Sequence, residues 1–251
     1  MAGGARPTGD RRGNVTDETD AERPTTVWER PDRGARGPAP ERSRAQITSA
    51  AVELADRDGL DALSLRALAR RLGTGPASLY RYVSGREDVL DLMADAVAGE
   101  IDLGVPPTGD PVADLTALAV RARAVHLRHP WLAELPPEPL RTGPNGLAYL
   151  ERALEALEPA GLEGRAAMEA VAVVSGLVTL FARVELHGRR APGARQVAQA
   201  AYLAAAATGG RHPRLAAALA DGAPEDAFGG DALFARIIRQ VLTGLVRGED
   251  A

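Results

Sequence analysis

The sequence of 251 residues contains no cysteine and no lysine; all 30 of its basic side chains are arginine. Without a thiol it holds no disulfide, no thiolate metal site and no cysteine nucleophile. Without an amine side chain it builds neither a Walker A loop nor a Schiff base. Aromatic residues are scarce, at 4%, while alanine and leucine abound, which favours helix over a sheet-rich core. Long apolar runs are also missing. The longest uncharged one, Ala170–Ala182, falls short of the ~20 residues that span a bilayer. The N-terminus shows no apolar core of the signal-peptide kind. These absences predict a cytoplasmic protein with no membrane partner, no metal and no cofactor.

The net charge of −4 is unevenly spread. Residues 42–90 carry eight arginines and six acids, whereas residues 91–251 carry fifteen arginines and twenty acids. A basic patch acts through its location and not through the whole-chain total, so the first segment stays open to nucleic-acid binding.

Residues 1–40 combine mixed charge with many glycines and prolines, the composition of a disordered arm. Trp28 stands out there. It either folds back onto the domain that follows or belongs to an arm carrying Arg30, Arg33 and Arg36 towards a DNA minor groove. From residue 41 the punctuation becomes helical. Ser43-Arg-Ala-Gln46 is a capping box, Ile47, Ala50, Ala51, Leu54 and Ala55 share one face, and Gly59 stops the helix. Ser64 caps a short second helix that ends at Gly73. Ser84-Gly-Arg-Glu87 reads as a second capping box, opening a longer helix that runs to about 102.

Between Gly73 and Ser84 there is room for only about two helical turns. Pro76 suits the first of them, because its missing N–H would find no partner there anyway. Leu79 and Val83, four residues apart, point inward and leave Ser78, Arg81 and Tyr82 outside. Further helices are expected at 110–128, 143–159, 163–188, 193–207, 212–220 and 230–247, with no alternating-period strand. The predicted fold class is therefore all-α: a three-helix unit at 41–90, then a larger helical domain over 103–251.

The G-x-G at 73–75 invites a phosphate-loop reading, but position 78 is Ser instead of a third glycine and no strand precedes it. A helix, a tight turn and a short exposed helix form a helix-turn-helix. Such a unit needs its second helix anchored from behind, base-reaching residues in front and flanking groups on phosphates. Leu79 and Val83 supply the anchor. Pro76, Ala77, Ser78, Arg81 and Tyr82 form the outer face, with Ser64, Tyr80 and Arg86 placed to meet phosphates. His126 and His129 could share a helix face as metal ligands, but no carboxylate pair is clearly placed with them. Ser175 reads as a small packing residue.

The stretch GLDALSLRALARRLGTGPASLYRYVSGREDVLDLM, residues 59–93, resembles the helix-turn-helix signature of TetR/AcrR-type transcriptional repressors. The matching elements are Gly59, Leu63-Ser64, Arg66, Leu68-Ala69, Leu72-Gly73, Ser78-Leu79-Tyr80, Tyr82-Val83 and Arg86, without gaps. More weakly, residues 128–135, 142–162 and the closing ALFARIIRQVLTGLVRG are similar to the all-helical C-terminal domain of the tetracycline-repressor branch. The resemblance implies a homodimer without enzymatic activity, a double-stranded DNA operator and a small-molecule inducer. It carries base-facing roles to Arg66, Pro76, Ala77, Ser78, Arg81 and Tyr82, and phosphate-facing roles to Ser64, Tyr80 and Arg86. Pro76 and Ala77 read bases poorly, so discrimination is expected from Arg66 and Arg81, which can pair with guanine O6 and N7. The tetracycline repressor places histidines around its fifth helix for a magnesium-bound drug. Here ADAVAGEIDLGV follows Met93 with no histidine, and that ligand is not expected.

The 163–188 segment is apolar nearly all round and must be buried on most sides. Together with the resemblance, it and the last helix are expected to form a four-helix dimer interface with their symmetry mates, through Val174, Leu177, Phe181, Phe234, Ile238, Val241 and Leu245. The segment from Val120 to Met168 is expected to wrap a ligand cavity using Trp131, Asn145 and Tyr149, although core packing explains each of these equally well. Two other readings stay open: a helical enzyme, for which no acid, base or metal cluster stands out, and an interaction or small-molecule-binding module keeping the helix-turn-helix as scaffold.

Overall fold

The computed structural model describes residues 25–30, 43–135, 141–189, 191–220 and 230–247. Among these residues there are ten α-helices and no strand, so the fold is all-α. The N-terminal unit comprises α1 (Arg44–Asp58), α2 (Leu65–Arg71), α3 (Pro76–Leu79) and α4 (Arg86–Ala98). The larger part follows with α5 (Pro111–Arg128), α6 (Pro144–Leu157), α7 (Gly164–Gly188), α8 (Ala194–Thr208), α9 (Pro213–Ala220) and α10 (Asp231–Arg247).

The first capping box forms in both directions: Ser43 Oγ accepts from the Gln46 amide at 3.2 Å, and Gln46 Oε1 accepts from the Ser43 amide at 3.0 Å. The second is displaced. Gly85 takes the cap position of α4, and Asp88, not Glu87, reaches back, accepting from the Ser84 amide at 2.6 Å and the Ser84 hydroxyl at 2.8 Å. The helix starts one residue later than the Ser-x-x-Glu pattern suggests, which makes Asp88 the third helical residue.

In the larger part, α5 is the central rod, packed against α6, α7 and α10. Leu115, Leu118, Ala119, Ala122 and Val125 give it a fully buried face. Phe181 of α7 and Phe234 of α10 meet edge to face with ring centroids 5.3 Å apart. Arg123 is buried beneath them, paired with Glu185 and Asp231, its guanidinium 5.1 Å from the Phe234 ring centroid. Among the described residues α7 is the one helix long and apolar enough to cross a bilayer. Its packing on α5, α6 and α10 accounts for much of that apolar character, but Met168, Val173 and Leu180 remain exposed. In contrast, α8 rests mainly on α9 and buries only Ala207, leaving Val197, Tyr202 and Leu203 in the open.

Residues 25–30 are ordered and close a turn from Thr26 to Glu29, unlike the disordered arm expected of this composition. Val27 is buried in the core, Trp28 packs against it, and Arg30 donates to Asp88 of α4 at 2.5 Å. The turn straps the N-terminal unit to the start of α6. A Cβ at Gly143 would come within 2.6 Å of Asp95 Cγ and would also run into the Trp28 ring, so this close approach requires glycine. Trp28 thus folds back onto the domain. Arg33 and Arg36 lie outside the described residues, as does most of the 1–40 segment.

Candidate nucleic-acid interface

The turn between α2 and α3 is built from backbone hydrogen bonds. Gly73 adopts φ 65°, its amide bonds Arg70 O at 3.2 Å, and the Thr74 amide bonds Ala69 O at 3.0 Å. This is the paired closure that a left-handed residue allows at a helix end, which makes Gly73 the turn and not a phosphate ligand. Pro76 then occupies the first position of α3. Behind the helix Leu79 and Val83 are essentially fully buried. In front, Pro76, Ala77, Tyr80 and Arg81 are exposed while Ser78 and Tyr82 are half-buried, Tyr82 leaning on the core. The α-helical part is a single turn, shorter than the two expected, and continues as hydrogen-bonded turns through Val83.

Arg66 and Arg70, four residues apart on α2, are both exposed, opposite the buried Leu68 and Ala69. Ser64 Oγ accepts from the Ala67 amide at 3.1 Å, which leaves its O–H free to donate to an incoming oxygen. Arg86 already has work inside the fold. Its Nε and a terminal nitrogen donate to Leu63 O at 3.3 Å and Leu60 O at 3.2 Å, closing the 3-10 turn at Leu60–Ala62 onto α4. One residue escaped the sequence reading. Arg44 donates to Tyr82 O at 3.3 Å and Arg30 O at 2.9 Å, tying the end of the recognition segment to the N-terminal strap. Its position just inside a capping box was the only available signal.

Three polar clamps join this unit to the larger helical part. His129, buried at the end of α5, has Nδ1 2.8 Å from Asp56 Oδ1 on α1 and Nε2 3.1 Å from Glu100 Oε2. Trp131 Nε1 donates to the same Asp56 at 2.7 Å. Burial raises the Glu100 carboxyl, but the bonds and charges of His129 and Arg128 outweigh it and hold the group below the ordinary carboxylate range. At the start of α6, Asn145 and the Gly146 amide bond the Asp95 carboxylate at 3.1 and 2.9 Å. Arg141 bridges Glu87 at 2.7 Å and Asp91 at 2.9 Å along α4.

These bonds reassign several expected roles. Trp131 and Asn145, expected to line a ligand cavity, serve the clamps, and Tyr149 lies against Ser175, its hydroxyl pushed up by burial and partly restored by that contact. His126 faces Ala122 O at 3.0 Å while His129 is held by carboxylates; no metal-binding cluster occurs among the described residues. Burial first, then the neighbouring His129, keep the His126 imidazole below its usual pKa, with the Ala122 carbonyl opposing.

Asp88 makes the interface sensitive to acid. Burial raises its carboxyl, yet the Ser84 amide and hydroxyl and the Arg30 guanidinium prevail and lower it. A folded-state pKa below the unfolded one means stability that is present above the ordinary carboxylate range and lost as pH falls through the folded value. Wild type should therefore lose melting temperature on acidification more steeply than Asp88→Asn; parallel melting curves from pH 7 down to pH 3 would show that Asp88 carries none of that slope.

A helix-turn-helix held at the end of an all-helical bundle defines a DNA-binding transcriptional regulator. Residues 47–93 match the tetR family of bacterial regulatory proteins and residues 103–247 match the tetracyclin repressor-like C-terminal domain; the chain belongs to this family. It is a family of regulators and not of enzymes. The chain is 34% identical to the HTH-type transcriptional repressor DrrR1 of Streptomyces coeruleorubidus, over 90% of this chain and 87% of that protein. The fold is similar to apo ActR from Streptomyces coelicolor, with TM-score 0.70 and 28% identity, covering 86% of this chain and all of that one. It is similar also to ActR in complex with actinorhodin, again with TM-score 0.70 and 28% identity, over 84% and 98% of the two chains.

Proposed function

We propose that the protein is a homodimeric repressor that reads a palindromic operator and is released from it by a small-molecule inducer. The observation that carries this reading is the α3 segment, bolted from behind by Leu79 and Val83 with Arg81 and Tyr80 free in front. Two such segments about one DNA turn (~34 Å) apart, or a multiple of it, would meet successive major grooves. Ser64 and Tyr80 supply phosphate contacts, and Arg86 can add one through its uncommitted donors, since a guanidinium carries five N–H groups. The ligand response draws support from ActR, whose structure is known with actinorhodin bound.

The dimer surface that the single chain leaves available differs in detail from the one expected from the sequence. Val174, Phe181, Phe234 and Ile238 are buried within the single chain, where they pack between α7, α10 and α5 and have no surface left for a partner. The helical repeat correctly marks them as apolar but does not say which neighbour they face. The outward stripe of α7 is Val173, Leu177, Leu180 and Val184, spaced four, three and four as in a two-helix seam. On α10 it is the half-buried Ile237, Val241 and Leu245. A symmetric partner covering both stripes would bury the apolar face that one chain leaves open. Leu180→Glu is expected to yield a folded monomer with unchanged helix content, read by sedimentation; a dimer that persists would put the interface elsewhere.

The direct test is a fluorescence-anisotropy titration of DNA flanking the gene, at several salt concentrations. Arg81→Ala should cost about 1–3 kcal/mol and relax preference at one position of each half-site. Unchanged affinity and preference would show that α3 is not the reading element.

A further inference from the structure

The chain between α4 and α5 returns along the groove between α5 and α6 and closes a cavity of about 210 Å³. Val105, Pro106, Ala117, Leu118 and Ala156 give it apolar walls, and Asp114, Arg121 and Arg152 are its charged members. Two of those three charges are already engaged. Asp114 accepts from the Thr108 amide at 2.8 Å, the Thr108 hydroxyl at 2.8 Å and the Gly109 amide at 3.0 Å, so its oxygens hold the loop in place. Arg152 donates to Val105 O and to Glu155, the latter at 2.8 Å. Arg121 is different. Its Nε is buried with no hydrogen-bond partner, and among the described residues none forms an ion pair with its guanidinium.

A planar fork of donors in an apolar cavity, partly removed from water and lacking an acceptor, matches one chemistry best: a carboxylate taking two parallel N–H bonds. Asp114 sharpens the choice, since a second negative charge on the ligand would be repelled by a carboxylate in the same cavity. The volume is that of roughly seven waters, enough for a small ring system with one acid group and too little for a large polycycle.

We propose that this cavity is a binding site for a small apolar monocarboxylic acid, with Arg121 as the ion-pair partner of the carboxylate and Arg152 beside it. The inference rests on the ligand-responsive reading above and names the ligand class. It also gives the ligand a lever. Arg152 and Ala156 belong to α6, whose first residues are pinned to Asp95 of α4 through Asn145 and Gly146, so one helix touches both the ligand and the DNA-binding half.

The test uses the full chain with benzoate and 1-naphthoate against benzamide and 1-naphthamide, by calorimetry, with release of bound DNA followed in parallel. At least one acid should bind roughly tenfold more tightly than its amide, the scale of one charge-assisted hydrogen bond. Arg121→Gln should erase that ratio. Ala117→Phe, at an exposed position on the rim, should block both compounds while leaving the arginines and the melting temperature in place. Equal affinity for acid and amide, an acid preference that survives Arg121→Gln, or no binding of either acid at millimolar concentration would overturn the proposal. An acid that binds as described without releasing DNA would leave the site standing and defeat the inducer reading. Release of DNA by the amides alone would do the reverse.

Discussion

Replacing Leu79 by alanine is expected to abolish operator binding and to lower global stability by about 2–5 kcal/mol, the range for deleting most of a fully buried leucine. Leu79 is completely buried, and it is the anchor that sets how far α3 stands out from the core. With a helix of one turn there is no length over which to spread the loss. The recognition segment has few backbone bonds of its own, Ser78 to Gly75 and Tyr82 and Val83 to Leu79, so it holds its shape only while that contact exists. Urea unfolding followed by circular dichroism measures the first effect, and anisotropy on operator DNA the second. Retained DNA affinity in a destabilised Leu79→Ala would mean that the segment is held from somewhere other than its buried face.

Arg123→Leu is the second large effect, expected at up to about 3–5 kcal/mol, the range for removing one member of a buried ion pair. Arg123 is 2% exposed and holds Glu185, itself only 15% exposed, together with Asp231, which is 78% exposed. The charge left behind in the interior is Glu185, which would keep only the exposed Arg189 at 2.6 Å, since Asp231 can turn to water. Adding Glu185→Gln to Arg123→Leu should therefore recover much of the loss, whereas adding Asp231→Asn should recover little. Equal recovery by the two second substitutions, read from urea midpoints, would show that burial does not decide the cost. The triad joins α5, α7 and α10, the rod and the two helices proposed for the dimer interface, so under that proposal loss of dimer at micromolar concentration should accompany Arg123→Leu.

Local chemistry was largely legible in the sequence, and long-range pairing was not. The Ser43–Gln46 box, the Ser64 cap, the Gly73 turn and Pro76 at the start of α3 are decided by neighbours a few residues away, and each is found where its spacing predicts. The Ser84 box fails by one residue because glycine at 85 and aspartate at 88 offer an equally local alternative, and Asp88 gains Arg30 besides. Arg30 and Asp88 are 58 residues apart in the chain, and Trp131 and Asp56 are 75 apart. No periodicity encodes such pairs; the fold brings them together. The same limit governs α7 and α10, where apolar spacing identifies buried positions without saying whether the neighbour is the same chain or another. Arg121 and Arg123 lie two residues apart on one helix and meet opposite fates, one held by acids in the core and the other lining the cavity without an acid partner among the described residues. Spacing shows that they point different ways and leaves open what each will find.

The chain has two tryptophans, and the fold puts both of them on the seam between its halves. Trp28 lies against Gly143 at the start of α6, and the Trp131 indole N–H is bonded to Asp56 of α1. Any rearrangement that changes how the DNA-binding helices sit on the bundle must alter the polarity or the quenching around one or both indoles. If the chain switches as proposed, the two indoles give it a built-in optical gauge of that change. Unlabelled chain excited at the indole band can follow inducer and operator in a single cuvette, and Trp28→Phe and Trp131→Phe separate the strap from the His129 clamp as sources of the signal.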